Sequence, residues 1–248
     1  MHRFHLPPEQ CRGATLALTG SESHHASRVL RVQPGERVTV LDGAGGEFLC
    51  DIANVDKREV CLTVLEKKVH PAPACQVTLL QAIPKGKIIE SIIEKATELG
   101  AHRVVPLLTE RVTTRLDSDD AVEKGARWQH VAIEAVKQCG AVWLPKVESP
   151  ITLKDFLARE EKFDLALVGA LQGEARHPHG FLREFETQHG AKPRSVAVWI
   201  GPEGDLTADE LKAMLATGAK PITLGPLVLR VETAAIYCLS FLNYELRA

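Results

Sequence analysis

Along residues 14–66 apolar and polar positions alternate in three short runs, TLALTG, ERVTVLDGAGGEFLCDIANV and REVCLTVLEK, broken by turn-formers at 43–46 and 56–58. A period of two is that of a strand with one face turned to a core, so this stretch predicts a small β-rich module. Between its first two strands lies SESHHASRVLRVQPGE, in which Ser21 or Ser23 can cap one short helix that ends before Pro34. The module then reads as a barrel with one helix. At 70–74 the run HPAPA breaks both helical and strand periodicity, and its prolines favour an extended linker. A boundary here divides the chain into domains 1–70 and 75–248.

After the linker the pattern changes. VTLLQAI, RVVPLL, DLALVGA, SVAVWIG and PITLG read as strands; between and after them lie helical patterns, KIIESIIEKATELG, 121–139, 178–188, one from Thr207 and a last one. Strands alternating with helices predict an α/β domain on a parallel sheet. In the first helix Ile88, Ile89, Ile92, Ile93, Ala96 and Leu99 form one stripe and Glu90, Glu94 and Glu98 the opposite one, with Gly100 as the stop. The last helix, 233–246, leaves almost no polar face among Ala234, Ala235, Ile236, Tyr237, Cys238, Leu239, Phe241, Leu242 and Leu246. Such a helix calls for covering, for which a second subunit is one source.

Charge and cysteine usage narrow the function class. Thirty basic against 32 acidic residues give a net charge of -2, which excludes a polycation that binds nucleic acid by bulk charge. A local basic face stays open. The six cysteines, Cys11, Cys50, Cys61, Cys75, Cys139 and Cys238, form no C-x-x-C pair or zinc spacing and read as reduced and mostly buried, with no metal site expected. Residues 1–11 lack the apolar stretch of a secretory leader, and no run of roughly 18 apolar residues occurs, so a soluble cytoplasmic protein without a membrane partner is expected.

Two segments concentrate candidate chemistry. In WIGPEGDLTADELKAM a strand runs into Gly201-Pro202-Glu203-Gly204-Asp205 and then a helix, with Thr207 and Glu210 as a capping box. Ligands bind at the carboxyl ends of strands in open α/β sheets, where glycines admit close approach; the run is either a cofactor loop or a tight strand-to-helix turn. It is neither a G-x-G-x-x-G fingerprint nor a Walker loop, which disfavours dinucleotide and ATP chemistry. In LGPLVLRVETAA a strand end again meets a Gly-Pro turn and a helix. Here Arg230 is a site cation or a surface ion-pair partner, and Glu232 a site carboxylate or an anion at a helix N-terminus.

These two segments, together with ATELGAHRVVPLLTER and the opening HRFHL and HHASRVLR, carry a resemblance. The chain resembles the bacterial 16S ribosomal RNA uracil-N3 methyltransferases of the SPOUT superfamily over nearly its whole length. The resemblance implies an N-terminal PUA-like β-barrel for RNA and a C-terminal α/β SPOUT domain closed by a trefoil knot, a threading that periodicity cannot reveal. It also implies a homodimer acting on 16S rRNA or the small ribosomal subunit, with S-adenosylmethionine as cofactor. The cofactor loops would supply Leu171, Gln172 and Gly173, then Ile200, Gly201, Pro202, Glu203 and Gly204, then Leu224, Gly225, Leu227 and Leu229, chiefly through their backbone. Arg230 would favour the uracil N3 anion, and Glu232 and Glu203 are candidates for base or orienting group. Arg3, Arg28 and Arg31 in the first domain, with Arg111, Arg115 and Arg127, are the candidate RNA contacts.

The chain departs from the family pattern at three places: Asp205 replaces the glycine usual after Gly204, Leu227 the arginine usual in the LGPR segment, and Ala141 an arginine frequent after QCG. Aspartate tolerates left-handed backbone, whereas the two lost arginines remove cationic contacts to RNA. His24 and His25 are adjacent on a short helix and point apart, so they read as structural or RNA-contacting. Three alternatives stand beside the methyltransferase: a SPOUT-fold RNA-binding or assembly protein with altered substrate or lost activity, a 2'-O-ribose methyltransferase, and a nucleotide-phosphate enzyme. The second usually carries an Asn and Arg motif on its first knot-domain helix, where this chain has KATELGAHRVVPL, and the 201–204 loop lacks an adjacent Lys for the third.

Overall fold

The computed structural model describes residues 1–56, 58–113, 116–171 and 175–247. It divides into two compact units, residues 1–72 with 133–144, and residues 73–132 with 145–248. In the first unit β1 (His2–His5), β2 (Thr15–Thr19), β3 (Arg37–Leu41), β4 (Gly46–Val55) and β5 (Glu59–Val69) form a curled sheet in the order β1-β3-β4-β5-β2. Only the β1–β3 pair is parallel. Alternation decides which face is buried: Phe48, Cys50 and Ile52 of β4 point inward, meeting Phe4, Leu18, Val38, Val40 and Leu62 in one core.

The helix after β2 begins earlier than the serines suggest. α1 (Gly20–His24) follows directly from Thr19, so Ser21 and Ser23 already lie inside it and neither caps it; Thr19 stands at the N-cap without a side-chain bond. The chain then widens into a π-helical turn, His25–Leu30, and stops at Arg31, whose φ of 54° is left-handed. Residues 133–144 belong to this unit through specific bonds. Arg3 Nη1 donates to the Gln138 carbonyl at 2.9 Å, and buried Lys137 reaches Glu22 at 2.7 Å. Burial by itself lowers the Lys137 pKa, but Glu134 and Glu22 more than reverse that and hold the ammonium charged.

The second unit carries β6 (Gln76–Ala82), α2 (Ile88–Glu98), β7 (Arg103–Leu108), α3 (Ser118–Cys139, its last turns in the first unit), β8 (Lys146–Val147), β9 (Ile151–Thr152), α4 (Leu153–Leu157), β10 (Leu165–Gly169), α5 (Pro178–His189), β11 (Ser195–Ile200), α6 (Ala208–Ala216), β12 (Lys220–Ile222) and α7 (Val231–Arg247). Every recorded pairing is parallel, in the order β12-β10-β11-β6-β7-β8 with β9 also on β7. β6 and β11 are buried along nearly all their length, as strands covered on both faces must be. Leu80, Val105, Val168 and Trp199 pack with Phe156 of α4 and Met214 of α6 on one face.

The order places the site. From β10 the chain steps to its neighbour β11, then α6 carries it back over β10 to β12 on the far side. Such a reversal leaves a crevice at the strands' carboxyl ends. α7 has a clearer inner stripe than its apolar content suggests: Val231, Ala235, Cys238, Leu239, Leu242 and Leu246 are buried, while Tyr237 and Tyr244 are exposed. Among the described residues no helix is long and apolar enough to cross a membrane.

Candidate active site

A cavity of about 210 Å³ opens where β10, β11 and β12 end and α7 begins. Of the residues expected to hold a cofactor, Leu171, Ile200, Gly201, Pro202, Leu224, Gly225, Leu227 and Leu229 line it, drawn from three loops far apart in sequence. Glu203 and Gly204 belong to the same loop but not to its lining, and Gln172 and Gly173 lie outside the described residues.

The loop after β11 is fixed from several sides. The Asp205 amide donates to the Pro202 carbonyl at 2.9 Å, and Asp205 adopts a left-handed φ of 61°, the geometry a glycine would supply freely. Its Oδ1 accepts from the Leu206 amide at 2.8 Å. The capping box is present in both directions: Thr207 Oγ1 accepts from the Glu210 amide, and Glu210 Oε2 accepts from the Thr207 amide. Glu210 Oε1 also accepts from the Glu110 amide at 2.8 Å. Arg111 Nη1 donates to the Gly204 carbonyl at 2.6 Å, and its stem packs alongside Gly204, where an added Cβ would meet it at 3.4 Å. Glu203 Oε1 accepts from the Lys85 amide at 2.9 Å, tying the loop to the segment after β6.

The third loop leaves β12 and turns at Gly225, whose φ of 117° suits no L side chain. Thr223 Oγ1 accepts from the Gly225 amide and donates to its carbonyl. Leu227 and Val228 stand 74% and 76% exposed at the cavity rim. Arg230 is exposed, flanked in sequence by the lining residues Leu229 and Val231, and its carbonyl accepts from the Ala234 amide in the first turn of α7. Glu232 is half-buried in that turn. The structure therefore brings Arg230 and Glu232 to the end of the same loop that walls the cavity, and spends Glu203 on the Lys85 amide.

The arginines singled out for RNA separate into groups. Arg3 is committed to backbone carbonyls at 137 and 138, Arg111 to the loop at 204, and Arg127 to Glu90 at 2.6 Å. Arg28 and Arg31 are exposed on and just after the π-helical turn; Arg115 lies outside the described residues. His24 is exposed, and His25 is half-buried with its ring edge-on to Phe4 at 6.4 Å. Cys11, Cys50, Cys75 and Cys238 are buried, and burial pushes the Cys238 thiol up to about 12. No three His, Cys, Asp or Glu residues gather as a metal site among the described residues.

Sequence reasoning missed Asp205, Thr223 and Val231 as lining residues. Their signal was positional: Asp205 closes the first loop singled out, Thr223 follows directly on β12, and Val231 opens α7.

A cavity at the crossover of a parallel sheet defines a ligand-binding α/β domain, here joined in one chain to a five-stranded β unit. The family described as RNA methyltransferase domain matches residues 70–243, and the one described as RNA methyltransferase PUA domain matches residues 18–65. Ribosomal RNA small subunit methyltransferase E of Synechocystis is 35% identical over 98% of this chain and 77% of its own length; that of Bacillus subtilis is 32% identical over 93% and 90%. Among solved structures, a Legionella pneumophila protein with bound SAM superposes at a TM-score of 0.86 with 32% identity, covering 98% of this chain and 97% of that one. The Neisseria gonorrhoeae ribosomal RNA small subunit methyltransferase E bound to S-adenosyl methionine gives 0.85 with 27% identity, covering 99% and 98%. The chain belongs to the ribosomal RNA small subunit methyltransferase E family.

Proposed function

We propose that this protein methylates N3 of a specific uridine in 16S ribosomal RNA of the small subunit, with S-adenosylmethionine held in the cavity. The observation that carries this reading is the convergence of three loops on one cavity at the β10 crossover, with Arg230 and Glu232 at the end of the third. The lining suits that cofactor. It is apolar side chain and loop backbone, with Asp205 the one ionisable side chain among the described lining residues and no Lys or Arg. The described lining offers no cation of the kind that often marks a phosphate site, and an apolar wall with one carboxylate suits a nucleoside with a cationic tail.

When bound, S-adenosylmethionine supplies an electrophilic methyl group. The chain's own residues do the rest. Backbone at Ile200 to Pro202 and Leu224 to Leu229 orients the cofactor, and exposed Leu227 and Val228 exclude water at the rim. Uracil N3 carries a proton used in pairing, so the base enters unpaired or splayed out. Arg230 places its guanidinium by a uracil carbonyl and favours the N3 anion. Glu232 accepts the N3 proton on its carboxylate, while Glu203 holds the loop through Lys85. Arg28 and Arg31 supply phosphate contacts. The chain works in the cytoplasm as a homodimer through its exposed α7 face, with the 223–231 segment threaded as the family's knot.

The test is nucleoside mass spectrometry of small subunits and of naked 16S RNA from cells lacking this modification, after incubation with purified protein and S-adenosylmethionine. New 3-methyluridine is the expected product, and the better substrate of the two shows whether assembled structure is required. Cofactor binding without any RNA methylation would overturn the reading. It would leave an RNA-binding or assembly protein, for which Leu227 and Ala141 in place of arginines would be the cause.

A further inference from the structure

Asp205 is the one charged side chain among the described lining residues of the cavity, and it stands at a position whose backbone favours glycine. Left-handed backbone on a residue with a Cβ is a strain that persists where the side chain contributes something. Part of that contribution is local, since Oδ1 accepts from the Leu206 amide at 2.8 Å and lies against Gly201. Oδ2 accepts no hydrogen bond from a described residue. On a half-buried lining residue, a second carboxylate oxygen with no donor among the described residues is free to accept from a cation in the cavity.

Building on the reading of the cavity as an S-adenosylmethionine site, we infer that Asp205 is a binding residue for the primary ammonium of the cofactor's amino-acid tail. The cofactor carries two cationic groups, and the chemistry separates them. A carboxylate against the sulfonium would stabilise a charge that methyl transfer removes, and so favour the ground state over the transition state. A carboxylate on the ammonium pairs with a charge that is unchanged by transfer and shared by substrate and product. Thr223, the other polar side chain among the described lining residues, is occupied with Gly225 and carries no charge.

The test is calorimetric titration of the full-length protein with three ligands. S-adenosylmethionine carries both cations, S-adenosylhomocysteine the ammonium alone, and 5'-methylthioadenosine neither. Asp205→Asn keeps the side-chain shape, and Asp205→Gly suits the left-handed backbone, so both variants are expected to fold, which their melting curves will check. Each variant should bind the first two ligands about tenfold more weakly and the third as the wild type does. A loss confined to S-adenosylmethionine would move the contact to the sulfonium and overturn the assignment. So would an equal change for all three, the mark of a loop-shaping role, or no change for any. Failure of the wild-type protein to bind S-adenosylmethionine at all would instead overturn the cofactor reading on which the assignment rests.

Discussion

Arg230 and Glu203 both looked like site residues, yet their surroundings differ. Arg230 is exposed beside the cavity wall, while the Glu203 carboxylate accepts the Lys85 amide at 2.9 Å. Removing a cation that stabilises developing charge costs about 10²- to 10³-fold in rate. Arg230→Ala should therefore lower the methylation rate by about that factor while S-adenosylmethionine affinity and melting temperature stay unchanged. Glu203→Gln keeps an oxygen for the Lys85 amide, so its rate should stay within about threefold of wild type. Glu203→Ala removes that acceptor and should cost about 0.5 to 1 kcal/mol of stability. Single-turnover kinetics beside thermal melts separate the roles: a folded Glu203→Gln protein as slow as Arg230→Ala would make Glu203 the proton acceptor instead of the brace.

At the level of elements, the capping box that opens α6 also clamps two loops. Glu210 is buried and accepts the Thr207 amide on one oxygen and the Glu110 amide on the other. Glu210→Gln leaves one of those amides facing an NH2 group, at a cost of about 1 to 2 kcal/mol. For a chain of this size that is a fall of roughly 2 to 8 °C in melting temperature, and an unchanged midpoint would show that the clamp contributes nothing. The box was legible because T-x-x-E at a strand end is local chemistry, and α2 was legible because its stripe repeats at helical spacing. The reach of Glu210 to residue 110 was not, since nothing local specifies it. α7 misled for a related reason: Tyr237 counts as apolar in a pattern but sits 39% exposed, where a ring with a polar tip is comfortable. The π-helical turn at His25–Leu30 also escaped, because its extra residue per turn leaves no mark on so short a segment.

For the whole molecule, periodicity tells which side of a strand faces a core but not which strand lies beside it, so the β12-β10-β11 order, and with it the position of the cavity, came only with the structure. The same holds for 133–144, whose place in the first unit rests on Arg3 and Glu22 reaching residues more than a hundred positions away. That long-range cluster gives the first unit a pH dependence. Burial holds the His5 pKa below its ordinary 6.5; Glu22 opposes that and Lys137 reinforces it. The unfolded chain thus takes up a proton near pH 6.5 that the folded chain accepts only at lower pH, and stability rises with pH wherever the unfolded state holds more protons. The contribution of neutral His5 is fully present above the unfolded value, erodes as pH falls through it, and stops changing below the folded pKa. Glu161, whose carboxyl is held down chiefly by its hydrogen bond from Arg103, loses its contribution only below its usual 4.5, outside this window. His102, whose pKa burial and then Arg103 also lower, acts in the same window and direction, so the melting midpoint should drop between pH 7.5 and 5.5, and His5→Gln should reduce that drop without abolishing it. Parallel curves for wild type and variant across the window would show that the imidazole titrates alike in both states and that the cluster leaves it accessible to water.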